Sequence, residues 1–252
     1  MRRRMLLAAG GALVLPAPAR ADDAVDVQLV MAVDVSRSID EEEARLQREG
    51  YRSAMVDPRV LAAITGGMVG AVAVAYVEWA GMGYQQLVIP WTRIGGPADA
   101  AAWSDRLARS PRQSVSWTSI SGALAFSRRV LAKCPFETTR RVVDVSGDGP
   151  NNNGPPAEGE RDQLVEAGVT INGLPIVNER PNFGVQPGAG LEAYYRNAVI
   201  GGPGAFLVVA QDFESFGAAI RRKLIQEIAG RDEDVVPAFG LTRLGRNGIR
   251  TG

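Results

Sequence analysis

Three polar segments of the sequence carry oxygen-bearing side chains at spacings that suit a hard metal ion. Asp34, Ser36 and Ser38 alternate along the first segment, so their side chains can point the same way as the chain leaves a strand. The second segment, residues 116–121, contains one Thr and three Ser, and the third, residues 144–148, has an Asp at each end. A carboxylate with two hydroxyls is a partial shell for a divalent cation.

The composition restricts which chemistry these segments can support. The 252 residues include no His, which removes the usual general base, the commonest metal ligand and every His-based catalytic triad. Cys134 is the single cysteine, so an internal disulfide or a thiolate zinc site cannot form. Any metal must therefore lie among oxygen ligands, which favours Mg²⁺, with Mn²⁺ or Ca²⁺ as alternatives.

The balance of charge argues against two classes of partner. Lys plus Arg number 28 and Asp plus Glu number 28, so the formal net charge is zero. Nucleic acids and anionic membranes both favour a basic excess, and we expect neither as a partner.

The N-terminus is typical of an export signal. Three arginines at 2–4 precede an apolar run at 5–15, and Ala19-Arg20-Ala21 follows as a small-x-small cleavage site. The apolar run is too short to span a bilayer, which takes about 20 residues. We predict a signal peptide at 1–21 and a periplasmic or secreted protein without membrane insertion after cleavage. Both the Sec and the twin-arginine routes remain open.

Strand-like and helix-like segments alternate from residue 26 onward. The predicted strands are 27–35, 69–79, 84–94, 141–146, 169–177 and 205–210, with 84–94 as a hairpin partner of the strand before it. The predicted helices are 39–56, 98–109, 119–132, 158–167, 191–199 and 213–229. This order predicts an α/β fold with a doubly wound, mostly parallel central sheet and helices on both faces. One domain covers 22–230, and 231–252 reads as a polar tail.

The polar segments all follow predicted strands or lead into a predicted helix. In open parallel sheets, ligands bind beyond the carboxyl ends of the strands. We therefore expect the three segments to meet at one edge of the sheet.

The pattern Asp34-x-Ser36-x-Ser38, followed by Thr118 and by Asp148-Gly149, resembles the metal-ion-dependent adhesion site (MIDAS) of von Willebrand factor A domains, whose fold is Rossmann-like. The resemblance covers about 26–230. The stretches at 77–81 and 146–152 are similar to a group of secreted bacterial A-domain proteins of undescribed function, which adds no activity.

The resemblance implies a role for each residue. Ser36 and Ser38 would ligate the ion through their hydroxyls, and Thr118 would join them when a ligand is engaged. Asp34 and Asp148 would act directly or through water. One coordination position would stay open for water or for an Asp or Glu side chain of a protein partner.

Two of these assignments have competitors in the sequence. Ser116, Ser119 and Ser121 flank Thr118 and offer the same hydroxyl chemistry. Asp144 competes with Asp148, and the residue before Asp148 departs from the family pattern by being a glycine.

These observations favour an exported, divalent-cation-dependent protein-binding module. The alternative is a metal-assisted hydrolase that uses the same ion to activate water, with Glu78 or Asp144 as a weak candidate base. The sequence contains neither a His nor a GxSxG nucleophile motif, so it offers no support for that alternative. A third hypothesis is a domain whose ion only stabilises the fold.

Overall fold

A computed structural model describes residues 23–177 and 190–230. The predicted signal peptide at 1–21 and the predicted tail at 231–252 lie outside the described residues. No helix in the described ranges is long and apolar enough to cross a membrane.

The core of the fold is a five-stranded sheet in the order β3-β2-β1-β4-β5. Neighbouring strands are parallel except β3, which runs antiparallel to β2. This arrangement confirms the predicted α/β fold with a mostly parallel central sheet. The strands are β1 (Val27–Asp34), β2 (Val72–Trp79), β3 (Gln85–Ile94), β4 (Arg141–Gly147) and β5 (Val169–Pro175).

Helices cover both faces of the sheet. α1, α2, α3 and α7 pack on one face, and α4, α5 and α6 pack on the other. α6 runs directly into a single π-helical turn, Tyr195–Val199. The helices are α1 (Glu41–Met55), α2 (Pro58–Thr65), α3 (Pro97–Arg109), α4 (Ile120–Leu131), α5 (Glu158–Glu166), α6 (Leu191–Tyr194) and α7 (Phe216–Ala229).

β1 lies at the centre of the sheet, and this position explains why its sequence is mostly apolar up to Asp34. All eight residues are buried, because successive side chains enter opposite helical layers. Leu29 and Met31 pack toward α1 and α7, whereas Val30 and Ala32 pack toward α4 and α5. The strand therefore delivers its last residue, Asp34, to a buried position at the carboxyl edge.

The predicted strand at 205–210 is wrong, although its backbone does approach β5. Isolated bridges join Gly173 to Leu207 and Ile176 to Ala210. The amide of Gly173 donates to Phe206, and that of Val208 donates back to Gly173. The next donor along β5 would be residue 175, which is a proline without an N–H, so the ladder breaks there.

One helix was not predicted from the sequence. α2 follows α1 after a short turn, with Asp57 as its N-cap and Pro58 at its first position. The Asp57 side chain accepts a hydrogen bond from the Arg59 amide (2.9 Å), so a cap and a proline together start a second helix where α1 ends.

Candidate metal centre

Asp34 ends β1 with its carboxylate fully buried. Its Oδ1 accepts a hydrogen bond from the amide of Ser36 (2.7 Å), whereas Oδ2 is buried without a hydrogen-bond partner. From α1, Gln47 Nε2 donates to the Asp34 carbonyl (3.2 Å) and ties the strand end to the helix. One carboxylate oxygen is therefore held by the turn, and the other has no hydrogen-bond partner among the described residues.

A chain of hydrogen bonds continues from this turn to the next strand. Ser36 Oγ lies 2.9 Å from Ser38 Oγ, and Ser38 Oγ donates to Asp148 Oδ1 at 2.8 Å. Asp148 follows β4, which is the neighbour of β1 in the sheet. The structure thus brings four of the five predicted residues together: Asp34, Ser36, Ser38 and Asp148.

The two carboxylates at this edge of the sheet interact through their charges. Burial raises the pKa of Asp34 well above its ordinary value, and the charge of Asp148 raises it further. The hydrogen bonds from Ser36 oppose that rise without reversing it. A cation beside Asp34 would favour the ionised carboxylate and lower its pKa.

Gly147 departs from the family pattern, and its position gives the departure a physical reason. A Cβ at Gly147 would lie 3.0 Å from Asp34 Oδ2 and 3.0 Å from the Tyr195 hydroxyl. The glycine therefore leaves room beside the unpartnered oxygen of Asp34. Asp148 still reaches Ser38 across the gap between β1 and β4.

The competitor Asp144 lies inside the fold and has a different neighbour. Its Oδ1 is 2.6 Å from Lys223 Nζ of α7, and both side chains are fully buried. Lys223 also contacts Glu227 one helical turn later. Asp144 thus belongs to an ion cluster under α7, whereas Asp148 lies with Ser38 at the edge.

The loop before α4 reaches the same edge by running beside the end of β1. The Val115 amide donates to Val35 (3.4 Å), and the Arg37 amide donates to Val115 (3.1 Å). Thr118 is buried, with its amide donating to Asn152 Oδ1 at 2.8 Å. Its carbonyl accepts from the Asn152 amide at 2.9 Å, so the loop is fixed to the one after β4.

Two of the hydroxyls that compete with Thr118 have roles in starting α4. Ser119 is the N-cap, and its Oγ accepts from the Gly122 amide (3.2 Å). Ser121 Oγ lies 3.3 Å from Ser119 Oγ. Ser116 is half-buried in the loop and stays a competitor of Thr118.

The three asparagines after β4 act as clamps through their side chains. Asn151 Oδ1 accepts from the Ser121 amide (3.1 Å), and Asn153 Oδ1 accepts from the Met82 amide (2.7 Å). With Asn152 holding Thr118, the turn joins three loops. From the sequence alone, the three consecutive asparagines predict only a polar turn. Their repetition was the signal that could have indicated a clamping role.

Two tyrosines that the sequence did not single out support the same loop. Tyr194 accepts a hydrogen bond from the Asn151 amide at its hydroxyl (3.3 Å). Tyr195 is fully buried, and burial, followed by the charges of Asp34 and Asp148, raises the pKa of its phenol. Both come from the junction of α6 with the π-helical turn, a feature common near functional sites.

Within the described ranges, no group of three or more Cys, Asp or Glu side chains is arranged to hold a metal ion. A metal centre at this edge would therefore depend on hydroxyl oxygens as well as carboxylates. That is the donor set that Asp34, Ser36, Ser38 and Asp148 present.

Solved structures with the same fold come from distant proteins. Proximal thread matrix protein 1 from the mussel byssus, solved with a zinc occupied MIDAS motif, has a TM-score of 0.56 and 16% identity over 82% of this chain and 46% of that one. A von Willebrand factor type A from Catenulispora acidiphila has a TM-score of 0.54 and 14% identity over 81% and 43%. An aerotolerance-related membrane protein from Bacteroides fragilis NCTC 9343 has a TM-score of 0.54 and 18% identity over 81% and 100%.

These likenesses show a von Willebrand factor A-type fold and nothing further, because the identities are low. The chain spans less than half the length of the mussel and Catenulispora chains. No curated protein matches the sequence. A family model does match residues 24–232, and the chain accordingly belongs to the family described as Protein of unknown function (DUF1194).

Proposed function

We propose that this protein is an exported protein-binding module that depends on a divalent cation. Asp34, Ser36, Ser38, Thr118 and Asp148 would hold the ion, and an Asp or Glu side chain of the partner would complete its shell. Mg²⁺ is the ion that we propose, with Mn²⁺ or Ca²⁺ as alternatives, because every donor is an oxygen.

The observation that carries this proposal is a buried carboxylate oxygen without a partner that lies next to a series of hydrogen-bonded hydroxyl and carboxylate groups. Asp34 Oδ2 is buried without a hydrogen-bond partner, and Ser36, Ser38 and Asp148 are linked beside it. A buried carboxylate oxygen without a partner is unfavourable in a folded protein. Coordination of a cation by Asp34 would remove that penalty, so the residues present fit the ion.

The chemistry of the shell favours binding of an external carboxylate. When bound, the ion supplies a Lewis acid at the protein surface. Serine and threonine hydroxyls are neutral donors, so Ser36, Ser38 and Thr118 would leave most of its charge uncompensated. Arg37, exposed between the two serines, adds a positive charge that attracts an acidic partner.

Export is the part of the proposal that depends on residues 1–21. Their basic start, short apolar run and Ala-Arg-Ala site support a cleaved signal. The mussel byssus protein and the aerotolerance-related membrane protein share the fold, and their names place them outside the cytoplasm or at a membrane.

The hydrolase has no comparable support. Its candidate bases were Glu78 and Asp144, and both are buried against a cationic side chain. Arg48 contacts Glu78 at 2.6 Å, and Lys223 contacts Asp144 at 2.6 Å. A carboxylate neutralised in this way is poorly placed to take a proton from water.

Thermal unfolding of the metal-stripped protein tests the ion site directly. Titration with MgCl₂, MnCl₂ and CaCl₂ should raise the Tm, with about 3 kcal/mol of stabilisation at a hundredfold excess over the Kd. Asp34→Ala and the double change Ser36→Ala with Ser38→Ala should abolish the rise. Asp105→Ala, an exposed position on α3, is the matched control and should keep it.

Partner capture tests the function itself. Wild-type protein should retain a partner from a bacterial envelope extract in Mg²⁺ and release it in EDTA, and Asp34→Ala should retain none. Capture that persists in EDTA, or that is equal for Asp34→Ala, would show that the ion does not mediate binding. Mg²⁺-dependent turnover of phosphate or ester substrates would favour the hydrolase instead.

A further inference from the structure

Trp117 combines exposure with a strained backbone, immediately before Thr118. Its side chain is 62% exposed, the largest exposed fraction for an aromatic residue in the described ranges. Its φ is +74°, the only positive value for a non-glycine residue in those ranges. A bulky residue in the left-handed region costs about 1–2 kcal/mol, and such strain concentrates at binding and catalytic sites.

Contacts on both sides hold Trp117 in this conformation. Thr118 is clamped by Asn152, and the Ser119 amide donates to the Ala80 carbonyl (2.8 Å). A Cβ at Gly81 would lie 3.1 Å from the Cβ of Trp117, so the chain is closely packed beneath the indole. The surrounding structure therefore fixes the backbone from which the ring extends into solvent.

Met82 extends this apolar surface on the other side of Gly81. It is 44% exposed, and its amide is held by Asn153 Oδ1 (2.7 Å). A Cβ at Gly154 would lie 2.5 Å from the Met82 sulfur, so the side chain rests on the asparagine turn. We call Trp117 and Met82 the apolar platform. Both residues adjoin Gly81, and an indole together with an adaptable thioether is a combination suited to binding an apolar side chain.

Positive charge borders the same edge. Arg37 is exposed between Ser36 and Ser38, and its amide is bonded to the loop that leads to Trp117. Arg112, half-buried in that loop, has Nε and one terminal nitrogen buried without hydrogen-bond partners among the described residues, and its charge interacts with Glu78 and Asp34. Arg37 is therefore the exposed positive charge that an occupant of this surface would meet beside the apolar platform.

We infer that the partner binds through an extended peptide segment in which an acidic residue adjoins a large apolar or aromatic residue. The acidic side chain would reach the metal centre, and its neighbour would pack on Trp117 and Met82. This inference depends on the proposed function, because it specifies the peptide sequence in the partner that the metal centre would recognise. The exposed Arg37 complements the acidic residue and therefore favours such a segment over a purely hydrophobic or a basic one.

An array of synthetic hexapeptides provides the test. Each peptide carries a central Asp with one of the other residue types beside it, and a parallel set carries Asn in place of Asp. In Mg²⁺, wild-type protein should prefer Phe, Trp, Leu or Met beside Asp over Gly or Ser by about fivefold to tenfold, the range expected for one aromatic contact. Asn peptides should not be retained.

The variants separate the platform from the ion site. Trp117→Ala and Met82→Ala should reduce the preference to about twofold or less while keeping Mg²⁺-dependent capture of Asp peptides. Trp117→Phe should keep the preference because it keeps a ring. Met68→Ala, a fully exposed methionine ahead of β2 at the opposite edge of the sheet, is the control and should match wild type.

The two proposals fail in different ways. Mg²⁺-dependent capture of Asp peptides without regard to their neighbour, or a preference that survives Trp117→Ala, overturns the platform and leaves the metal-dependent module intact. Absence of any Mg²⁺-dependent or Asp-dependent capture overturns both. Capture of apolar peptides in EDTA assigns the surface to another kind of ligand and also overturns the inference.

Discussion

Glu227→Gln should stabilise the protein at alkaline pH and leave it little changed at acidic pH. Glu227 belongs to a fully buried cluster in which Lys223 contacts both Glu227 and Asp144. Asn172 Nδ2 donates to Glu227 Oε1 at 3.0 Å, and Glu227 Oε2 has no hydrogen-bond partner. Two carboxylates thus share one ammonium group, and one carboxylate in excess is buried between β4, β5 and α7.

The magnitude follows from the pKa of that excess group. Burial, and then the charge of Asp144, raise the pKa of Glu227 from 4.5 to about 7 against the opposing effect of Lys223. Burial also raises the pKa of Asp144, so Asp144 and Glu227 share the proton. The native state then binds more protons than the unfolded state between about pH 4.5 and 7, and its stability falls as the pH rises. The full loss above pH 7 is about 3 kcal/mol.

Urea unfolding from pH 5 to pH 8 measures this loss. Wild-type protein should become less stable across the range, whereas Glu227→Gln leaves Asp144 and Lys223 as a balanced pair without the extra proton. The difference in unfolding free energy between the variant and wild type should therefore shift by about 2.5 kcal/mol in favour of the variant from pH 5 to pH 8, because the rest of the loss falls below pH 5. The chain has no His, so no ordinary imidazole titration overlaps the range. Glu166→Gln, exposed on α5, is the matched control.

A variant that follows wild type at every pH would refute the reasoning, since the proton uptake would then belong elsewhere. A variant less stable than wild type at pH 8 by the same amount as at pH 5 would show that Glu227 is fully ionised and well compensated. Glu166→Gln should run parallel to wild type whichever result is obtained.

Three further substitutions test local features. Asp40→Ala removes the capping box of α1 and should lower the free energy of unfolding by about 1 kcal/mol in urea. Gly50→Ala places a methyl group 2.6 Å from the Phe216 ring between α1 and α7, and should destabilise the protein by about 1–3 kcal/mol in the same assay. Gly147→Ala brings a methyl group to 3.0 Å from Asp34 Oδ2, and should weaken the Mg²⁺-induced rise in Tm more than it lowers the Tm without metal.

Local sequence predicted β1 and the first part of the site well. A strand buried on both faces favours a mostly apolar run, here interrupted only by Gln28 before Asp34 ends it, and the alternation of Asp34, Ser36 and Ser38 follows from strand geometry. Their hydrogen-bonded arrangement therefore depends mainly on near neighbours in the chain. The helix cap at Asp40 also depends on near neighbours, because its side chain accepts from the amide of Glu43 three residues later.

Contacts between distant segments explain what the sequence left open. The choice between Asp144 and Asp148 depends on Lys223, which lies on α7 and meets Asp144 only after the sheet has formed. The loss of the strand at 205–210 depends on Pro175 in its neighbour, not on any residue of the segment itself. The exposure and positive φ of Trp117 likewise depend on hydrogen bonds from the loop after β4, such as that between Thr118 and Asn152. The sequence around Trp117 does not predict these contacts.

The buried carboxylates of this fold are compensated in different ways, and the contrast bears on the metal centre. Glu78 has Arg48 at 2.6 Å, and Asp144 has Lys223 at 2.6 Å, so each has a cationic side chain supplied by the chain itself. Asp34 is as deeply buried as these, yet among the described residues it makes no ion pair. Ser36 supplies its hydrogen bonds, its Oδ2 has no partner there, and Arg112 acts on it only through its charge. In the described ranges, Arg48 and Lys223 contact the other two carboxylates directly, whereas the side chain of Arg112 makes no such contact with Asp34. A binding role for Asp34 accounts for this difference, because a built-in Lys or Arg at Oδ2 would neutralise the carboxylate and exclude a divalent ion.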